Sequence, residues 1–574
     1  MGSSVSNSPS ASAPCSVAVI GFGPGGMFFC HHLERKRRQL LNEGSKTEEE
    51  IDALLPRVTC FEQAESLGGN WRPDRTRSES LWTNGPKEAM EFFDHTFADH
   101  YGKDTKLPVF LPRAEVLQYM IRRVTKDCPD FISKYAQFHT KVQRVTFDPQ
   151  TKLFSVTTHN LKTQENSTQT FQKCIWAAGM YGRPRMPPSL VSAFQHFTRG
   201  PVVHSTELSD WTKYAQHKHI LLIGGSYSAL DMAYTAIRHQ ASKVTMVVRD
   251  ASRHVPVTWP QSWPEDKVDI VWEKVPTSVN PQTQAIVCSA WDAFEDALDT
   301  EDFSVQEIHN VDTVVLCTGF EPCTDMLDKS VWEQKPHHWV DLPPYWTMAP
   351  NSLDTIIKPA QEPPRRVDGQ ALLHMDLFHE CVSATNPNFM MIYSDFDQHL
   401  LAIDISTKLC LSCILGETPI PSTNDIYECN RQIILWGMQI PVIRAYLDPS
   451  YNIQFQEAYW EDEVSEDEDR AEGDFYLRRL AQIAHEANYP VNLGTIHALS
   501  KLGRMLVEQD RICYNYGESK KEKHKVTVHD LPAKTCQKFQ SLYTGNVPVP
   551  LKERWMELDH SLSPMDMVNG NDKQ

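Results

Sequence analysis

The chain has 574 residues, more than one hydrophobic core usually supports, so two or three packed units are expected. Hydrophobic residues make up 41% and charged residues 23%, the balance of a globular protein, which excludes long disorder outside the ends. A formal charge of -18 excludes binding to a nucleic-acid backbone, because that affinity rests on clustered Lys and Arg that release counterions.

The opening MGSSVS carries Gly2 and Ser6 at the spacing of an N-myristoylation signal, at the head of a Ser/Pro/Ala-rich leader expected over residues 1–14. No apolar run of about eighteen residues occurs and no secretory layout opens the chain, so a cytoplasmic protein without a transmembrane segment is expected. Acylation of Gly2 would add peripheral membrane association.

Ser16 to Ile20 (SVAVI) reads as a buried parallel strand that runs straight into GFGPGG. Gly21, Gly23 and Gly26 form GxGxxG in the context that gives this pattern meaning. Gly21 permits the tight turn, Gly23 lets backbone approach a pyrophosphate, and Gly26 lets helix and strand pack closely, with Pro24 and Gly25 completing the turn. The charged stretch Leu33 to Arg57, broken by Gly44, is expected to be a helix end plus an inserted helical hairpin before the strand RVTCFE. Glu62 closes that strand, where an acid holds a ribose hydroxyl; the insertion places it 36 positions after Gly26 instead of about 20. Gln63 and the following LGGNW, with Gly69, Asn70 and Trp71, complete a cofactor-binding segment.

The strand KCIWAAG ends at Gly179, and Pro184, Pro187 and Pro188 then mark a crossover between domains. A second strand-to-turn unit begins at His219 (HILLIGGSYSALDMA). Gly224, Ser226 and Ala229 stand where three glycines would be strict, with Ser228 between them, and small residues there still admit a pyrophosphate. The next strand, KVTMVVR, ends on Arg249 instead of an acid. An arginine at that place suits the 2′-phosphate of NADPH better than the bare hydroxyls of NADH. Two Rossmann turns, one ending in Glu and one in Arg, are most economically assigned to FAD first and NADPH second.

The expected architecture is α/β, with two Rossmann-like dinucleotide-binding domains and a helical C-terminal extension. Its parts are a leader (1–14), the FAD-binding domain in two pieces (15–186 and 323–450), the NADPH-binding domain (187–322), and an acidic loop with a helical C-terminal segment (451–574). The run Glu461 to Asp469 is expected to be a solvated loop or a break between helices. Fourteen cysteines lie mostly in apolar stretches, as free thiols of a reducing compartment do. Cys410 and Cys413 have CxxC spacing but also suit an apolar helix face, and with no second pair to complete a site, no metal is expected.

The segments GFGPGG, FEQAESLGGNW, LWTNGPKE, GGSYSALD and LCTGF, in this order, resemble the flavin-containing monooxygenases among the class B flavoprotein monooxygenases. The likeness is nearest to the soluble trimethylamine monooxygenase branch, which shares the insertion after the first helix and a stretch similar to WPQSW (Trp259 to Trp263); it runs from about Cys15 to about Asp559. The resemblance implies a cycle in which NADPH reduces FAD and reduced FAD takes up O2 as a C4a-hydroperoxide. A soft nucleophile, a tertiary amine such as trimethylamine or a sulfide, then takes the distal oxygen. It also implies roles for single residues. Asn84 sits beside flavin and nicotinamide, where its amide both donates and accepts hydrogen bonds. Trp82 and Thr83 match flanking cofactor contacts, and Val142 matches a position whose backbone faces the FAD adenine. Tyr227, Ser228 and Ala229 match the turn that touches NADPH, with Tyr227 extending toward the substrate. A homodimer is among the assemblies open to such a protein.

Three departures stand out. The family fingerprint FxGxxxHxxx(Y/F) appears as Phe197, Gly200, His204 and Leu208, with one residue inserted and the final aromatic missing. Ser394 to Leu401 (SDFDQHLL) replaces an aromatic QDQWYSF segment, removing a Trp-Tyr pair that could cradle a small ammonium group. The C-terminal membrane helix of microsomal members is absent. Alternatives left open are a catalytically impaired FAD/NADP-binding protein acting through a partner and a Baeyer-Villiger-type monooxygenase. A disulfide reductase would need a redox cysteine pair close after the first turn, and Cys30 has no such neighbour in the sequence.

Overall fold

The computed structural model describes residues 14–73, 83, 87–103, 105, 107, 111–180, 182–208, 211–249, 267–292, 297–299, 302–333, 339–341, 366–368, 373–392, 399–438, 440, 443–444, 447 and 466–490. Two compact units emerge: Met1–Gly69, Ile121–Gly179 and Thr324–Asn492 form the first, and Asn70–Met120, Met180–Cys323 and Leu493–Gln574 the second.

The first unit is built on a seven-stranded sheet in the order Leu377–Phe378, Val382–Ser383, Phe389–Met391, Lys173–Trp176, Ser16–Ile20, Arg57–Phe61 and Ala136–Gln137. Ser16–Ile20 pairs in parallel on both sides. Being covered on both faces, it is a continuous apolar run and not an alternating one. The helix Pro24–Asn42 follows it, buried over its first half and packed on the helix His399–Ile414. The insertion is the expected helical hairpin. Thr47 caps the helix Glu48–Leu54 in a reciprocal capping box with Glu50. A three-stranded antiparallel sheet, Thr140–Asp148, Leu153–Asn160 and Asn166–Phe171, and an antiparallel pair, Trp339–Asp341 with Arg366–Asp368, belong to the same unit.

The second unit carries a five-stranded, fully parallel sheet in the order Val268–Trp272, Lys243–Val248, His219–Ile223, Thr313–Leu316 and Val202–His204. Side chains of its central strand alternate between two cores: Ile220 and Leu222 join Ala229, Met232 and Ala233 on one face, and Leu221 and Ile223 join Phe194, Val247 and Val314 on the other. A small antiparallel sheet of Lys274–Val279, Ile286–Asp292, Ala297–Leu298 and Val305–Ile308 stands beside it. The fold is thus the expected α/β class, with two dinucleotide-binding sheets. A helical C-terminal portion, Thr423–Gly437 and Glu466–Glu486, lies in the first unit. The acidic run differs from its expected loop: Glu466 to Asp469 open the last helix. Carboxylates are favoured at a helix N-terminus, so a charge run that looks like a break can instead start an element.

A buried ion cluster ties the first unit together. Arg123 grips Asp404 with two hydrogen bonds of 2.8 Å, His32 Nε2 lies 3.0 Å from Asp404 Oδ1, and the Tyr489 hydroxyl donates to Asp404 Oδ2. Arg123 and Asp404 are fully buried. Burial alone would raise the Asp404 carboxyl, yet the adjoining Arg123 and His32 hold it well below the usual carboxylate range. One carboxylate therefore joins the nucleotide helix, the helix Arg113–Thr125, the helix His399–Ile414 and the segment after the last helix. We predict that Asp404→Ala, which strands a buried guanidinium, destabilises the protein by about 3–5 kcal/mol in denaturant titration. Because the folded pKa is depressed, the stabilisation is present above the ordinary aspartate value of about 3.9 and lost as pH falls below it; the variant should lose that acid-side slope.

Candidate functional site

The first turn is dictated by a close approach of backbone. Gly21, at φ 102°, donates its N–H to Phe61 O at 2.9 Å, and a Cβ there would lie 2.6 Å from the carbonyl oxygen of Ala177, the residue after the strand Lys173–Trp176. A Cβ on Gly26 would meet Gly21 O at 2.3 Å. Gly23 ends the turn as the helix N-cap, Pro24 opens the helix, and among the described residues no side chain caps it. Its first N–H groups are therefore available to an anion. A Cβ added to Gly25 would lie 3.1 Å from Ile392 Cγ2, and one added to Gly69 would lie 3.1 Å from Gly23 Cα. Glu62 sits at the same strand ends, its Oε2 accepting from Phe22 N and its Oε1 from Ala64 N, both at 2.9 Å. A carboxylate oxygen can accept more than one hydrogen bond, which is the capacity a ribose hydroxyl would call on. Gln63 and Asn70 are exposed and Trp71 is half-buried, with Gly69–Trp71 forming a short 3-10 turn. Val142 is buried on the strand that leaves Glu62, where Thr140 N bonds to Glu62 O.

The second turn repeats the construction. Gly224, at φ 135°, bonds to Val247 O at 3.0 Å, and a Cβ would lie 2.5 Å from Cys317 O, the residue after Thr313–Leu316. Ser226 is the N-cap of the helix Tyr227–Arg238 and, among the described residues, makes no side-chain capping bond, unlike Thr47, Thr96 and Ser422 at other helices. Ser228 is half-buried and Ala229 fully buried in the core, taking the packing role of the third glycine. Arg249 follows the strand Lys243–Val248 and is exposed. The residues present therefore fit two dinucleotides: each turn is a cradle that a Cβ would fill, at an uncapped helix N-terminus, one with a carboxylate and the other with a guanidinium at the ribose end.

Thr83 is buried and exchanges two bonds with Leu111, Thr83 N to Leu111 O at 2.9 Å and Leu111 N to Thr83 Oγ1 at 3.1 Å. Trp82, Asn84, the WPQSW stretch, the Ser394 to Gln398 part of SDFDQHLL and Gly2 lie outside the described residues, as does the Tyr227 side chain, although Tyr227 begins its helix. The altered fingerprint proves architectural. A Cβ on Gly200 would meet Asp312 O at 1.8 Å, His204 is fully buried with Nε2 3.0 Å from Gly319 O, and Leu208 packs in the core. Burial holds the His204 pKa below the ordinary imidazole value.

Cys30, without a cysteine close by in the sequence, has Cys60 beside it on the next strand, with sulfurs 3.5 Å apart. Burial, together with the Cys60 thiol, pushes the Cys30 thiol well above its ordinary pKa, which disfavours a thiolate there. Cys410 and Cys413 lie buried on one helix; a hydrogen bond to Cys381 together with burial raises the first, and burial pushes the second up to about 12. Sequence patterning also passed over Asp231, one helical turn beyond the second glycine turn: desolvation pushes its carboxyl up to about 7 against the pull of Arg113. Its signal was its place inside GGSYSALD.

Fold and turns together define an α/β protein with two dinucleotide-type glycine turns. Residues 87–348 match the family described as pyridine nucleotide-disulphide oxidoreductase. The trimethylamine monooxygenase of Roseovarius nubinhibens is 29% identical over 318 residues, 53% of this chain and 61% of that protein. That of Methylocella silvestris is 31% identical over 263 residues, 43% and 52% of the two chains. Flavin-containing monooxygenase 3 of Rattus norvegicus is 28% identical over 264 residues, 44% of each. The chain spans less than two thirds of the length of these relatives. Among solved structures, Tmm from Pelagibacter sp. strain HTCC7211 has the same fold at a TM-score of 0.59, with 20% identity over 87% of this chain and 92% of that one. S-allyl-L-cysteine S-oxygenase from Allium sativum follows at 0.53, with 16% identity over 88% and 94%. Over about half its length the chain is thus similar to trimethylamine monooxygenases and to a flavin-containing monooxygenase. No helix among the described residues is long and apolar enough to cross a membrane.

Replacing Gly21 by Ala forces a side chain against Ala177 O at a φ that L residues rarely adopt. The variant should purify folded but colourless, with bound flavin, read from visible absorbance, below about a tenth of the parent; a yellow variant would contradict the first turn as the FAD site.

Proposed function

We propose that this protein is an NADPH- and O2-dependent flavin monooxygenase that oxygenates the nitrogen or sulfur of a soft nucleophilic small molecule. The observation that carries the reading is the pair of matched glycine turns, one closed by Glu62 and the other by Arg249. The two cofactors, once bound, supply hydride transfer and oxygen activation. The protein's own residues supply placement. Backbone at Gly21 and Gly23 admits the FAD pyrophosphate, Glu62 accepts from a ribose hydroxyl, and Val142 lines the adenine end. At the second turn the N–H groups beyond Ser226 face the NADPH pyrophosphate and Arg249 pairs with the 2′-phosphate. Asn84, flanked in sequence by Thr83 and Trp82, would hold the bound cofactors through an amide that both donates and accepts, and Tyr227 would be the substrate-side residue, as the resemblance implies.

The relatives named for trimethylamine and the soft-nucleophile chemistry together support tertiary amines as the first substrate class, with sulfides second. The SDFDQHLL segment lacks the Trp-Tyr pair suited to a small ammonium group, which favours a substrate larger than trimethylamine. A cytoplasmic location, with acylation at Gly2 as an added membrane tether and a homodimer as the assembly, completes the proposal. The test is NADPH consumption by the purified flavoprotein against a panel of tertiary amines and sulfides, with N-oxide and sulfoxide measured directly; substrate-independent NADPH consumption with no oxygenated product would overturn it.

Asn84→Leu conserves volume and leaves the Gly21 turn untouched, so FAD should stay bound. Product oxygenation should fall about a hundredfold or more, the scale of losing a preorganised donor in a closed site, while remaining NADPH oxidation releases hydrogen peroxide. Parent-rate oxygenation without added peroxide would make Asn84 an ordinary turn residue.

A further inference from the structure

We propose that Trp291 is a positioning residue for the second nucleotide turn: its indole presets the Arg249 guanidinium at the ribose end, and so sets the preference for 2′-phosphorylated over unphosphorylated adenine nucleotides. This rests on the NADPH reading of that turn.

Strand register brings the two residues together from distant parts of the second unit. Val247 accepts the Gly224 N–H, Val248 is paired with Trp272 on the parallel edge strand, and Arg249 is the next residue out. On the edge strand Trp272 is followed by Glu273, whose left-handed φ of 53° turns the chain into the antiparallel sheet. The Glu273 carbonyl then accepts the Trp291 N–H at 2.9 Å, fixing the Ile286–Asp292 strand at the mouth of the parallel sheet. Its indole lies 5.2 Å, ring centroid to guanidinium carbon, from Arg249, within the range of a cation-π contact. Trp291 Nε1 is buried and, among the described residues, has no hydrogen-bond partner. Buried indole N–H groups usually find one, so this ring is placed for its face and not for its polar edge.

The physical consequence concerns entropy and orientation. An exposed arginine samples many rotamers and gives up that freedom when it clamps a phosphate; a guanidinium already laid flat on an indole gives up less and presents its donor edge outward. The adenosine 5′-phosphate portion of a ligand meets the glycine turn and is indifferent to this device. Selectivity, not overall nucleotide affinity, is therefore what Trp291 controls.

The test uses the FAD-loaded protein and two probes that undergo no turnover, adenosine 2′,5′-bisphosphate and AMP, titrated by calorimetry. Trp291→Leu keeps an apolar side chain without a π face, with Trp291→Met as the substitute if the Leu variant is insoluble. Binding of the bisphosphate should weaken by about five- to tenfold, in line with losing a cation-π contact, while AMP stays within about twofold. Trp291→Phe should restore most of the preference, and Arg249→Ala should abolish it. Equal weakening of both probes in the Leu variant, or a preference left intact while Arg249→Ala removes it, would overturn the role of Trp291 and leave the NADPH reading standing. A parent protein with no preference between the two probes would overturn that reading itself.

Discussion

At both glycine turns a carbonyl oxygen from the neighbouring strand end stands where a Cβ would otherwise be. Ala177 O faces Gly21 and Cys317 O faces Gly224, in each case from the residue just past the strand that flanks the turn's own strand. The hydrogen bonding is the same as well: the glycine N–H bonds to the neighbouring strand on one side, at Phe61 O or Val247 O, and the last turn-strand carbonyl, Ile20 O or Ile223 O, accepts from Ala177 N or Cys317 N on the other. Three parallel strands thus converge on one side-chain-free point, and the following helix begins there with free N–H groups. Everything proposed for nucleotide binding follows from this steric condition.

Given two equivalent cradles, what differs between them is carried by the residue that ends the next strand. Glu62 is buried and fixed by backbone N–H groups at Phe22 and Ala64, so its charge is oriented before any ligand arrives. Arg249 is exposed, with its guanidinium carbon 5.2 Å from the centroid of the Trp291 ring. The contrast matches the demands of the two partners: a ribose hydroxyl needs a stationary acceptor, and a phosphate needs a cation that can meet it at several oxygens. Holding the first sheet's helices in register is a separate task, done by the buried Asp404 cluster, which draws on four stretches of chain.

Much of the fold was legible because its signals are local. SVAVI, HILLI and TVVL are apolar runs because both faces of each strand are covered, and the glycines follow them directly. Glu62 could be found across the insertion since its role requires only the end of the next strand. Contacts between distant stretches were not legible: Arg123 and Asp404 lie 281 positions apart and His32 and Asp404 372, and nothing in either neighbourhood announces the other. Trp291 is reached only through three strand registers, and Cys60 only through the sheet that sets it beside Cys30. The acidic run was misjudged because charge density marks solvent exposure equally in a loop and at a helix start. The packing places of Gly200, His204 and Leu208 likewise emerge only from the folded chain.

The proposed monooxygenase chemistry requires a bound flavin that NADPH can reduce. Mixing the purified protein with NADPH under strict anaerobiosis, and following the visible flavin band, tests it most directly. One equivalent of NADPH should bleach the bound flavin, NADH should do so far less effectively, and admitted air should restore the band, with oxygenated product if a tertiary amine is present. A tightly bound flavin that NADPH leaves fully oxidised would contradict it.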